Sequence, residues 1–171
     1  MKLNTIFLIL ITTLCTLPLQ AQEDAATILK KAVAQAKAEH KNVFVKYGAS
    51  WCKWCKKMDM EMKSDACKAY FDNHYVIVDF VVNESSNKKN LETPGAMELL
   101  QSWHGEKAGL PFWVVLDDQG ALLEDSFDEK GQNLGCPVSP KEVAQFVEIL
   151  KKTSTLKQKE LNVITTVFTS K

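Results

Sequence analysis

Asn42 to Tyr47 is a short β-branched and aromatic run ended by Gly48, and Cys52-Lys53-Trp54-Cys55 follows at once. The run reads as a strand. From Cys52 to about Met62, Lys56, Lys57, Met58, Glu61 and Met62 are good helix formers uninterrupted by Gly or Pro. The two cysteines therefore fall at a strand-to-helix turn, and that position says more than the C-x-x-C spacing alone. Disulfide exchange needs a thiolate that is exposed, stabilised and backed by a second thiol that can resolve a mixed disulfide. At a helix start, free backbone N–H groups and the helix dipole favour a thiolate on Cys52, while Cys55, one turn inward, is expected to be less exposed. The dipole contributes roughly 0.3–1 kcal/mol at an exposed site, less than the about 1.4 kcal/mol that one pKa unit requires. Lys53, Lys56 and Lys57 crowd the same helix start and add positive potential. Cys52 is thus expected to be the nucleophile and Cys55 the resolving thiol.

The N-terminus reads as an export signal over residues 1–21. Lys2 is the charged start, Ile6 to Leu14 the apolar stretch, and Leu19-Gln20-Ala21 a small-residue cleavage site. The apolar run is too short to span a bilayer as a stable helix, so the chain is not expected to be an integral membrane protein. Cys15 could take a lipid, although Leu14 before it fits such a site poorly. The mature chain, residues 22–171, is one domain of ordinary size over 22–152, followed by a lysine-rich helical tail over 153–171 that reads as a solvated face.

Lys2 is one of 21 lysines, so the mature chain carries 20 against 21 acidic residues, and it has no arginine. Near-neutrality argues against nucleic acid. The missing guanidinium removes the forked donor favoured at phosphate sites. Cys52, Cys55, Cys67 and Cys136 remain after export, and a C-x-x-C pair closes too small a loop to be an effective structural staple.

The rest of the chain alternates helix and strand. Apolar residues from Ala25 to Ala36 recur at helical spacing within Asp24 to Glu39. Ser64 to Asn73 is a second helical piece, Tyr75 to Val82 a strand covered on both faces, and 83–93 a polar loop. Pro94 opens a helix through Trp103, Pro111 to Leu116 and Ala121 to Phe127 are strands joined at Asp117-Asp118-Gln119-Gly120, and Ser139 caps a helix to Lys152. The order is that of an α/β layer structure, with two parallel crossovers and a terminal hairpin expected.

Half a zinc site has the same C-x-x-C spacing, but no second such pair exists and His40, His74 and His104 are isolated. Lys56 after the second cysteine excludes haem attachment. Met58, Met60 and Met62 read as packing and surface residues of one helix rather than a copper cluster, and Trp103 and Trp113 as core. No metal site and no cofactor beyond the Cys52–Cys55 pair are expected.

The stretch from Val43 to Met58, with Trp51 before the first cysteine, resembles the active-site strand, turn and helix of thioredoxin-like proteins. Gly109-Leu-Pro-Phe-Trp-Val-Val-Leu-Asp-Asp-Gln-Gly120 is similar to that family's cis-proline loop, strand and hairpin turn. The resemblance covers residues 24–152 and is strongest to the exported group. It implies a three-layer fold with a central mixed sheet of about four strands flanked by helices. It also implies Cys52 and Cys55 as the redox pair, Pro111 as the cis-proline, and Trp51, Gly109, Leu110 and Pro111 as the substrate surface, with Leu110 offering its backbone to an extended segment. The implied function is an exported thiol–disulfide oxidoreductase acting on exported thiol or disulfide proteins. As a reductant it would need a membrane electron donor. Two other readings stay open: a redox-inactive binding module of the same fold, and a protein that handles metal through thiolates.

The chain departs from the family at one buried position. Where thioredoxins usually carry an acid six residues before the first cysteine, this chain has Lys46, and Asp79 stands where a lysine is common. Lys46 and Asp79 are expected to pair across adjacent strands beneath the cysteines and, with Lys53, to tune the thiols. A slip of one residue would instead turn Asp79 to the opposite sheet face. Cys67 reads as a buried free thiol, and Cys136 as a thiol within reach of the redox groove but not bonded to Cys67.

Overall fold

The computed structural model describes residues 22–170; the export signal read over 1–21 lies outside them. The helices are α1 (Ala25–Glu39), α2 (Lys53–Met62), α3 (Lys68–His74), α4 (Ala96–Ser102), α5 (Pro140–Lys152) and α6 (Gln158–Thr169). The strands are β1 (Asn42–Gly48), β2 (Tyr75–Val81), β3 (Phe112–Leu116) and β4 (Leu122–Asp125). They form one mixed sheet in the order β2-β1-β3-β4. β1 runs parallel to β2 and antiparallel to β3, and β3 is antiparallel to β4.

Only one of the two expected parallel crossovers exists, the one from β1 through α2 and α3 to β2. β3 runs antiparallel to β1, so the loop and the seven-residue α4 between β2 and β3 bring the chain back to the edge at which β2 ended instead of recrossing the sheet. It enters β3 from the edge where β1 ends, so Pro111 starts β3 on the same side as the cysteines.

Side chains alternate across β1. Val43, Val45 and Tyr47 pack with α1 and α4 in one core cluster, while Phe44 faces the α2, α3, α5 and α6 side. Small residues let α1 lie close on the sheet, with Ala25, Ala32 and Ala36 buried. Ser139 and Glu142 form a reciprocal cap at the start of α5. Gly95 and the Pro94 carbonyl, which accepts the Ala25 N–H at 2.8 Å, displace the start of α4 from Pro94 to Ala96. The 83–93 loop carries one 3-10 segment, Ser86–Leu91.

The lysine-rich tail also has an apolar stripe. Leu161, Ile164 and Phe168 on α6 are buried, and the Phe168 ring lies 5.1 Å from Phe146 and 6.5 Å from Phe71, centroid to centroid. The core thus extends past residue 152.

Candidate active site

β1 ends at Gly48 because of what lies above it. A Cβ there would stand 3.3 Å from Cys55 Sγ, tighter than ordinary packing. The chain then turns, the Cys52 N–H donates to the Ala49 carbonyl at 3.0 Å, and Cys52 becomes the N-cap of α2. Its sulfur accepts the Cys55 N–H at 3.1 Å and is bonded to Cys55 in a disulfide, with the two Cα atoms 5.3 Å apart.

The exposures of the pair reverse the sequence expectation. In this oxidised form Cys52 is 3% exposed and Cys55 is half-buried. The cause is the cap itself: the Cys52 sulfur folds back over the first turn to meet the Cys55 amide. Trp51 and Trp54 stand out on either side, 56% and 52% exposed. The Trp51 indole N–H donates to the Asn83 carbonyl at 2.9 Å.

Cys55 lines a cavity of about 410 Å³ together with Gly48, Pro111, Lys46, Asp59 and Asp79. Pro111 follows a cis peptide after Leu110, and Gly109 takes a positive φ of 82°. Lys46 and Asp79 are register partners of the parallel β1–β2 ladder, and the Lys46 ammonium lies 2.8 Å from Asp79 Oδ1. A second acid, absent from the sequence expectation, completes the group: Asp59, one turn after Cys55 on α2, also pairs with Lys46. Its i+4 spacing from Cys55 was the available signal. Lys46 is buried, so its charge is held between two carboxylates rather than in water.

The three lysines at the start of α2 do not act together. Lys53 is exposed at the first helical position. Lys56 lines the cavity. Lys57 is committed to Glu61, whose hydrogen bond holds its ammonium above the usual lysine range.

Glu61 also receives the Cys136 thiol at 3.6 Å. Burial, followed by the Glu61 charge, pushes Cys136 up to about 12, and burial also raises Cys67. Both thiols are free and buried. Cys136 lines a smaller cavity of about 280 Å³ with Trp54, Leu110 and Pro111, so it borders the groove in a form that resists ionisation. Among the described residues no three Cys, His, Asp or Glu side chains gather into a group that could hold a metal ion.

Glu84 was not legible beforehand, because an acid in a polar loop is unremarkable. Here it is buried, its Oε1 accepting the Ser50 N–H and its Oε2 the Ser50 hydroxyl at 2.8 Å. The backbone hydrogen bond from Ser50 holds its carboxyl below the usual range. Glu84 and Asn83 together tie the turn before Cys52 to the loop after β2.

Among solved structures, the chain is similar to a disulphide isomerase from Xylella fastidiosa Temecula1, with 28% identity and a TM-score of 0.51 over 65% of this chain and 79% of that one. It is also similar to a DsbH oxidoreductase, with 24% identity and a TM-score of 0.44 over 77% and 84% of the two chains. The C-terminal domain of Neisseria meningitidis DsbD in the oxidised form gives 26%, 0.43, 61% and 84%. No curated protein matches the sequence. The first likeness and the mixed four-stranded sheet flanked by helices make this a thioredoxin-like α/β fold. The profile of the family described as Thioredox_DsbH, protein of unknown function, DUF255, matches residues 23–167, and the chain belongs to that family.

Proposed function

We propose that this chain is an exported thiol–disulfide oxidoreductase that acts by mixed-disulfide exchange through Cys52 and Cys55. The observation that carries the reading is the Cys52–Cys55 disulfide at the start of α2, with Cys55 sharing a cavity with Pro111 and the Lys46 group. The similarity to a disulphide isomerase supports it, and the export signal read over 1–21 supports the compartment.

In the reducing direction the Cys52 thiolate attacks one sulfur of a client disulfide. The Cys52–client bond forms and the other client sulfur leaves as a thiolate. Cys55 loses its proton and attacks Cys52 Sγ, which forms the Cys52–Cys55 bond and releases the second client thiolate. Two electrons pass to the client, and the same steps reversed oxidise a client dithiol. Trp51 and the Gly109-Leu110-Pro111 segment form the client surface, with the Leu110 backbone pairing to an extended segment. Lys46 favours the Cys55 thiolate, Asp59 or Asp79 takes its proton, and Lys53 adds positive potential at Cys52. The clients are exported thiol or disulfide proteins, and a membrane electron donor restores the dithiol when the protein reduces them.

Titration of residues 22–171 in dithiothreitol redox buffers tests the reading, with a reversible two-electron transition expected. Its absence, or metal retained at one equivalent through gel filtration, would overturn it. A Cys55→Ser protein should accumulate mixed disulfides with exported clients, and N-terminal sequencing of the full chain expressed in its host should start at Gln22.

A further inference from the structure

The backbone of the Pro111 loop is held by one side chain. The Asn133 amide donates to the carbonyls of Ala108 at 3.0 Å, Gly109 at 3.3 Å and Pro111 at 2.9 Å. Its own oxygen accepts the Gly135 N–H at 3.0 Å. Of the four consecutive carbonyls from 108 to 111, that of Leu110 is the one Asn133 does not take. Among the described residues nothing donates to that carbonyl or accepts from the Leu110 N–H.

Asn133 is itself rigidly placed. It bridges Phe127 as an isolated β-pair. It follows a turn in which Asp128 Oδ1 accepts the Lys130 and Gln132 N–H groups at 2.8 Å. It also precedes Leu134, whose N–H donates to the Ser126 carbonyl at 2.7 Å. Beyond it, the Gly135 carbonyl accepts the Trp113 indole N–H at 2.9 Å. The platform is built from Trp113 on β3 and the chain after β4, and it shares the 280 Å³ cavity with Trp54 of α2.

We infer that Asn133 is a positioning residue for peptide clients: it holds residues 108–111 in the one shape that leaves the Leu110 backbone free to pair with an extended polypeptide beside the disulfide. The inference rests on the proposed oxidoreductase function and deepens it. It separates two properties of the site. Electron transfer belongs to Cys52 and Cys55, whereas recognition of a polypeptide, as opposed to a small disulfide, runs through Asn133 and Leu110. An Asn is suited to the place because its NH₂ supplies two donors to three acceptors while its oxygen takes a backbone N–H. Aspartate has the same shape but sets a carboxylate against three carbonyl oxygens.

The test compares two probes with the reduced protein. One is an extended octapeptide whose single cysteine is disulfide-bonded to thionitrobenzoate. The other is free dithiobis-nitrobenzoate. In both, the protein dithiol is oxidised and the probe disulfide is reduced, releasing the coloured thiolate. With probe in excess and one turnover per protein, the half-saturating peptide concentration should rise about tenfold for Asn133→Asp and Asn133→Ser, as the loss of one or two net hydrogen bonds implies, with the limiting rate close to wild type. The rate with free dithiobis-nitrobenzoate and the Cys52–Cys55 potential should stay within about twofold. If both variants are folded by thermal denaturation and keep the wild-type half-saturating peptide concentration, or lose activity equally on both probes, the inference fails and the proposed function stands. If the wild type reduces neither probe, the proposed function fails and takes the inference with it.

Discussion

The Lys46 ammonium lies 2.8 Å from Asp79 Oδ1 across the parallel β1–β2 ladder, and the same nitrogen also meets Asp59 on α2. One buried cation therefore joins a sheet edge to the helix that carries the cysteines. Lys46 is nearly inaccessible, while Asp59 and Asp79 keep 37% and 53% of their side-chain exposure, so water can take over from either acid but not from the lysine.

Either carboxylate alone can hold the ammonium, so Asp59→Asn and Asp79→Asn should each cost little stability. The double variant leaves a buried charge unpaired and should cost about 3–5 kcal/mol. Urea denaturation of the three proteins reads the coupling; additive effects would show that the two acids do not share one partner.

Removing the cation while keeping its bulk should raise the pH at which the cysteines react. In Lys46→Met the two carboxylates no longer face a positive charge, and both disfavour a nearby thiolate. The pH profile of iodoacetamide alkylation of the reduced protein should move upward by about one unit. An unchanged profile would remove Lys46 from the chemistry and leave it a structural ion pair.

Cys136 should be inert to alkylation at pH 8 in the folded protein. Its thiol is raised from an ordinary value of 9.0 to about 12 by burial and Glu61, so the folded state holds the proton more tightly than the unfolded chain. The resulting stability is fully present below pH 9 and is lost as pH rises toward 12. Cys136→Ala should lose less stability than wild type between pH 9 and 12, and Glu61→Gln should make Cys136 easier to alkylate at pH 9. Rapid labelling of Cys136 in the wild type at pH 8 would contradict the burial argument.

Glu84→Ala should free the turn before the cysteines. The Ser50 amide loses its acceptor, and its hydrogen exchange, read by NMR, should speed by at least about tenfold. Acid should do the same in the wild type. The Glu84 carboxyl is held below its usual range, so its contribution is present above pH 4.5 and is lost as pH falls through the lowered value.

Phe168→Ala should cost about 3–5 kcal/mol, because its ring is 1% exposed against Phe146 and Phe71. Thermal unfolding measures it. A negligible loss would mean that α6 is an appendage rather than a wall of the core.

The strand-to-helix turn was legible in advance because every cue for it is local. A β-branched run, a glycine, an N-terminal cysteine and a series of helix formers lie within 20 residues, and hydrophobic periodicity needs no distant partner. The Lys46–Asp79 pairing was half legible: both residues interrupt apolar runs, but a one-residue slip to the opposite sheet face stayed open until the β1–β2 register closed it.

What the sequence by itself determined was the place of the cysteine pair at a strand-to-helix turn, most of the helix and strand types, and the charge exchange at Lys46. Tertiary structure alone decided the rest. The direction of β3 was set by its antiparallel pairing to β1. The covered state of Cys52 followed from a sulfur turned back onto its own helix. Asp59, Glu84, Glu61 and Asn133 gained their roles from hydrogen bonds made to other segments. Such partners leave no periodic trace in a chain, because a polar residue in a loop looks the same whether it meets water or three backbone carbonyls.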